Sequence, residues 1–183
     1  MTPASASSPL LDALGRVDET VLVGWARLRR PGLDRAVAAY SRLGNSGVGW
    51  VALGAGVALV RREPRIAAAT AVAVWGTLAV NYAVKTRVDR PRPELDDAPQ
   101  AIEPPSTSSF PSSHAAMSAA AALVLADAVP GARGLLRLAA LAMAASRVHL
   151  GVHHPSDVVA GYLLGSVTGR IGRRLVPARR RGR

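Results

Sequence analysis

The chain has 183 residues, no cysteine, 49% hydrophobic and 4% aromatic residues, and a formal net charge of +11. The length suits one domain, the missing cysteine excludes disulfides and thiolate metal sites, and the alanine-rich composition predicts helices rather than a β core. Such a charge suits nucleic acid or an anionic membrane surface, but here the cations sit between long uncharged apolar runs and at the C-terminus, which is a membrane-protein pattern.

Residues 1–9 are Ser, Ala, Thr and Pro-rich and are expected to be disordered, and they have no secretory-signal pattern. Residues 10–30 are amphipathic: Leu11, Leu14, Val17, Val21 and Trp25 recur at helical spacing with charged residues between them. This helix carries too much charge to span a bilayer, which leaves an interfacial position or packing on a core. Pro31-Gly32 is expected to end it. Leu43–Val60 and Ile66–Val84 contain no charged residue, and as helices of 18 and 19 residues each would span about 27–29 Å, the thickness of a hydrocarbon core. Arg61-Arg62-Glu63-Pro64-Arg65 is the turn between them. Residues 85–113 read as a long polar loop, and such loops are usually functional. Three further helices follow, His114 to about Val129, Leu135 to about Leu150, and Val158 to Gly169, before a basic tail over 174–183. The expected fold is all-α: a single-domain integral membrane bundle over 1–183, with about five spanning helices and the N-terminal amphipathic helix.

The chemistry concentrates in two places. Ser146–Asp157 reads S-R-V-H-L-G-V-H-H-P-S-D, and loop 85–113 opens with Lys85 and Arg92-Pro93 and closes with Pro111-Ser112-Ser113-His114. His153 and Asp157 are four apart, so a helical turn stacks them on one face, where a carboxylate fixes the imidazole tautomer and makes its free nitrogen a better nucleophile. Lys85, Arg92 and Arg147 supply fixed positive charge, and the helix start at Ser112-Ser113 supplies N–H groups and hydroxyls for an anion. If the helices alternate across a membrane, both loops lie on the same face.

This set suits phosphoryl transfer without a metal, with cations and N–H donors around phosphate oxygens, His153 as nucleophile and His114 as general acid. A zinc site on His149, His153 and His154 is poorly served by three nearby cations. His149 and His154 are read as supporting the site or facing the substrate, or else as structural.

Lys85-x6-Arg92-Pro93, Pro111-Ser112-Ser113-His114 and Ser146-Arg147-x5-His153-x3-Asp157 resemble the three signature motifs of the type 2 phosphatidic acid phosphatase superfamily. The resemblance is specific over residues 85 to 170 and reaches the N-terminal third only in general layout. It implies a helical bundle without cofactor and a phosphohistidine on the residue matching His153. It also implies phosphate contacts from Lys85, Arg92, Ser112 and Arg147, with His114 as general acid. Ser113 stands where the family usually has glycine; its N–H is retained, and its side chain could narrow the pocket or add a hydrogen bond. The substrate class implied is a lipid or polyprenyl phosphate or diphosphate, presented from the bilayer, with no nucleic acid partner. A vanadium-dependent haloperoxidase-like enzyme and a catalytically inactive lipid-binding membrane protein are the competing readings.

Cations on the two faces nearly balance. Setting aside Lys85, Arg92 and Arg147, which have a chemical reason for their position, twelve remain on the C-terminal face and eight on the other. The positive-inside rule then predicts a cytoplasmic C-terminus and an extracytoplasmic active site in the cell membrane.

Overall fold

The computed structural model describes residues 9–94, 101–103 and 106–174. Residues 1–8 of the expected disordered start and 175–183 of the expected basic tail lie outside the described residues. Every regular element among the described residues is helical: α1 (Pro9–Ala26), α2 (Pro31–Arg42), α3 (Val48–Arg61), α4 (Pro64–Val88), α5 (Ser113–Ala128), α6 (Arg133–His149) and α7 (Pro155–Arg173), with short 3-10 turns at Asn45–Gly47 and Pro130–Ala132.

Three boundaries differ from expectation. Pro31 does not merely end a helix; it occupies the first turn of α2, where its fixed φ and missing N–H cost nothing. The uncharged run from Leu43 does not form one straight helix. It breaks at Asn45–Gly47, where Ser46 and Gly47 take φ of 51° and 71°, and α2 and α3 meet at a 45° bend. Glycine adopts that left-handed conformation without steric cost, and a Cβ at Gly47 would collide with Val74. Finally, α4 continues through Lys85 to Val88, so Lys85 is helical and not part of the loop. By length and composition α4 can cross a membrane, as can the bent α2–α3 pair taken together; α5 is apolar but shorter, at 16 residues.

The bundle is built around α5. Twelve of its sixteen residues are buried, which makes it the central helix, packed between α4, α6 and α7. Alanine makes up eight of its sixteen residues because the neighbours come too close for larger side chains. The approach is tightest at α7. A Cβ on Gly161 would strike the Ser112 carbonyl, and one on Gly165 would strike the Ala116 carbonyl. The opposite stripe of α7, Val159, Leu163, Val167 and Ile171, is exposed, as are Leu53, Leu59 and Val60 of α3, Trp75 of α4 and Leu135, Leu138 and Leu141 of α6. The interior holds Thr70, Thr77, Asn81 and Ser118, with Trp50 Nε1 donating to Ser118 Oγ at 2.8 Å and Thr77 Oγ1 2.5 Å from Thr168 Oγ1. Small and polar inside, large and apolar outside, is the arrangement that suits hydrocarbon solvent.

The N-terminal helix keeps most of its apolar stripe on the outside. Leu14, Val17 and Val21 are exposed and Trp25 reaches back to His149, while Asp18 and Leu22 are buried against the bundle. The reason is a specific partner for Asp18, described below.

Because α5 and α7 share a glycine-thin interface, Gly165→Val is expected to destabilise the bundle by about 1–3 kcal/mol through overpacking. A thermal melt in detergent beside a phosphatase assay measures it; an unchanged melting temperature with full activity would contradict this packing account.

Candidate active site

Two helix N-termini and two helix C-termini converge at one end of the bundle. The Ser112 N–H donates to the Asp157 carbonyl at 3.0 Å, which ties the start of α5 to the first turn of α7. Lys85 comes from the end of α4 and Arg147 from the end of α6. His153 follows α6 in the short connection to α7, and Arg92 lies in the segment after α4. A cavity of about 710 Å³ opens among them, lined by Lys85, Arg92, Ser113, His114, Arg147 and His153. The two imidazoles the sequence singled out therefore face one space.

Around this cavity the cations are held by backbone and hydroxyl oxygens. Lys85 Nζ donates to the Ser108 carbonyl at 2.7 Å. Arg92 donates to the carbonyls of Ser106 (2.7 Å) and Ser108 (3.1 Å) and to that of Val152, and its Nη1 lies 3.3 Å from His153 Nε2. Arg147 donates to Ser41 Oγ and is 1% exposed, with a buried Nε that has no partner. Such anchoring fixes three positive groups at short range without neutralising them. An anion entering the cavity supplies the missing counter-charge.

The serine pair behaves differently from expectation. Ser113 lines the cavity, but its hydroxyl donates to Asn81 Oδ1 at 2.6 Å, and Asn81 Nδ2 donates to the Pro111 carbonyl at 3.3 Å. The side chain that replaces the usual glycine is thus turned to α4. Ser112 Oγ is buried without a partner. The first-turn N–H groups of α5 have no carbonyl one turn earlier to bond, and they remain the helix's contribution to anion binding.

The His153–Asp157 pair is looser than its spacing predicts. Nδ1 of His153 lies 3.7 Å from Asp157 Oδ2 and makes no hydrogen bond. Asp157 is occupied elsewhere: Oδ2 accepts the His154 N–H at 2.9 Å and lies 3.2 Å from His154 Nδ1, while Oδ1 accepts Arg90 Nη1 at 2.7 Å. His154 is therefore the cap residue of α7, in a reciprocal capping box with Asp157. His149 is also structural. It lies between Trp25, whose Nε1 donates to its Nδ1 at 3.0 Å, and Asp34, 2.9 Å from its Nε2. The three histidines do not converge on a zinc site, and no metal-holding group of three or more ligands occurs among the described residues.

Arg90 is the residue sequence reasoning missed most clearly. Its second arm donates to Asp18 Oδ2 at 2.8 Å, so one guanidinium bridges Asp18 of α1 and Asp157 of α7. Asp18 also accepts the Ser156 N–H at 2.8 Å. Burial opposes the Arg90 charge, but its bonds to the two carboxylates win and raise its pKa. For His153, burial pushes the ring down to about 4, with Arg92 and Arg147 adding to the shift and Asp157 opposing it. Ser41 and Asn45 were missed too. Asn45 Oδ1 lies 3.1 Å from His114 Nε2 and sits in the α2–α3 break.

A sequence profile described as the PAP2 superfamily matches residues 66–181. The decaprenylphosphoryl-5-phosphoribose phosphatase of Mycobacterium tuberculosis is 37% identical over 161 residues, covering 86% of this chain and 88% of that one. Its counterpart from Mycolicibacterium smegmatis is 38% identical over 151 residues, covering 80% and 82%. Among solved structures, a transmembrane PAP2-type phosphatidylglycerolphosphate phosphatase from Bacillus subtilis aligns with a TM-score of 0.73 at 24% identity over 93% of this chain and 90% of that chain. Aquifex aeolicus LpxE aligns at 0.75 and 26% over 86% and 95%.

The depressed pKa sets the sign of a pH test. An unfolded histidine binds its proton near about 6.5, the folded ring only near 4. Between those values the unfolded state holds more protons, so stability falls as pH drops through that window. Histidine ¹⁵N NMR is expected to show the ring at 153, identified as the signal lost in His153→Gln, still neutral at about pH 5; a ring at 153 titrating near its ordinary value would contradict the burial account.

Proposed function

This chain belongs to the PAP2 superfamily, and from that premise we propose that it removes the terminal phosphate of a polyprenyl-linked phosphosugar, with His153 as the attacking residue. The chain is a phosphatase of the membrane-associated, phosphohistidine-forming kind. The observation that carries the assignment of residues is the single cavity into which His153, His114, Lys85, Arg92 and Arg147 all face.

The reaction runs in two displacements. The substrate phosphate sits among Lys85, Arg92, Arg147 and the N–H groups of the α5 first turn, with Ser112 and Ser113 at that turn. The Nε2 of His153 is neutral at working pH and lies 3.3 Å from Arg92 Nη1, both residues lining the cavity. It attacks phosphorus, the P–O bond to the sugar breaks, and His114 delivers a proton to the leaving oxygen. As the attacking ring becomes cationic, its Nδ1 proton needs an acceptor, and Asp157 at 3.7 Å is the group that closes on it. In the second displacement His114 takes a proton from water, which attacks the phosphohistidine and frees inorganic phosphate. Arg90 is a positioning residue: it holds Asp157 ionised and aimed from the far side.

The substrate class is supported by the names of the relatives, which act on a decaprenylphosphoryl phosphoribose, and by their coverage of most of both chains. The remaining fold assignments belong to the same proposal. The bent α2–α3 pair, α4, α5, α6 and α7 make five crossings. α1 lies at the interface on the active-site side, where its outward Leu14, Val17 and Val21 meet lipid. The distribution of cations favours a cytoplasmic C-terminus and an outward-facing site.

Removing the nucleophile is expected to lower kcat by about a thousandfold or more in His153→Ala while the protein still inserts and melts normally. Loss of the general acid in His114→Ala is expected to cost about a hundredfold or more on an alkyl phosphate and far less on p-nitrophenyl phosphate, whose leaving group needs no proton. Arg90→Gln is expected to lower kcat about tenfold with little change in KM, because it acts through Asp157 and not on the substrate. Near-wild-type turnover by the His153 variant refutes the mechanism.

A further inference from the structure

Phosphate chemistry leaves part of the cavity unexplained. A space of about 710 Å³ is sized for a whole small ligand rather than one phosphate. Beyond the three anchored cations it is lined by Arg42 and Glu103, both exposed, and neither side chain forms a hydrogen bond or ion pair with another described residue. Both side chains are exposed at the cavity, so each can take up a group of a bound ligand without giving up a bond to the protein. Their place is also defined. Ser41, one residue before Arg42, accepts from Arg147, and Asn45, three residues after it, touches His114 Nε2. Arg42, in the last turn of α2, thus lies between a residue bonded to Arg147 and one in contact with the general acid.

We propose that Arg42 and Glu103 form a leaving-group subsite for a hydroxyl-bearing linker that carries a second anion. Arg42 pairs with the phosphodiester that joins the sugar to the lipid, and Glu103 accepts hydrogen bonds from the sugar hydroxyls. This deepens the substrate reading above and rests on it. Ala38, Leu78, Ile102 and Met117 continue the lining as an apolar wall for the start of the prenyl chain. A cation in the last turn of α2 also favours the helix dipole, but that accounts for neither the carboxylate nor the facing cavity.

The test uses the full chain in detergent with polyprenylphosphoryl 5-phosphoribose, phosphatidic acid and p-nitrophenyl phosphate. Arg42→Gln is expected to lower kcat/KM about tenfold on the phosphoribose lipid, the cost of one charge-assisted contact. The loss should fall mostly on KM and stay within about twofold on p-nitrophenyl phosphate, which also reports that the variant is folded. Arg42→Lys should recover part of the loss, and Glu103→Gln should lose about threefold on the phosphoribose lipid alone. Equal losses on all substrates, or none on the phosphoribose lipid, with the wild-type preference intact, overturn the subsite alone. A wild-type enzyme that prefers phosphatidic acid overturns the substrate reading and the subsite together.

Discussion

The close approach of α5 and α7 is the constraint on which the rest of this structure depends. Gly161, Gly165 and Gly169 repeat every four residues and lie against Ser112, Ala116 and Ala120. Small residues at that spacing let two backbones meet without intervening side chains. The consequence is chemical as well as mechanical. The start of α5 carries the anion-binding N–H groups and His114, and the start of α7 carries Asp157 with His153 just before it. With Ser112 bonded to the Asp157 backbone, the two helix starts form one rigid corner. Lys85 and Arg147 reach that corner from helix ends, and Arg92 from the segment after α4.

Charge is arranged there in two layers. The layer facing the cavity is cationic: Lys85, Arg92 and Arg147 are held by carbonyl and hydroxyl oxygens and keep their positive charge for an incoming anion. The layer behind it is an ion-pair network in which Arg90 links Asp157 to Asp18. A buried ion pair adds little net stability against an apolar replacement, yet leaving one partner alone is costly. That asymmetry explains why α1, with few other contacts, docks where it does and points Asp18 inward although its neighbours Leu14, Val17 and Val21 face out. The N-terminal helix, outside the residues matched to the superfamily, is thereby connected to the catalytic corner.

Much of this was legible in the sequence because motif spacing encodes helix geometry. Three short motifs identified the cations and both imidazoles, and the structure brings all of them but Asp157 and Ser112 to one cavity wall. Other parts were written in signals that periodicity does not weigh. Thr70, Thr77, Asn81 and Lys85 mark one polar face along an otherwise apolar helix, which announces the inner side of α4. Gly44-Asn45-Ser46-Gly47 announces the break in the first long apolar run, although the absence of charge suggested a continuous span. The role of His154 was hidden because its spacing to Asp157 is as good as that of His153, and only the start of α7 at Pro155 decides which ring becomes the cap. Asp18 could not be foreseen: its partner lies 72 residues away, and the amphipathic pattern of α1 left an interfacial and a core-packed position both open.

The central claim is that phosphorus passes through the imidazole at 153. Rapid quenching of the full chain with a ³²P-labelled lipid phosphate, followed by peptide mapping under alkaline conditions, tests it most directly. The account predicts acid-labile label on the peptide containing His153, absent when His153 is replaced. Label on the peptide containing His114, or turnover with no labelled protein at any time point, would contradict it.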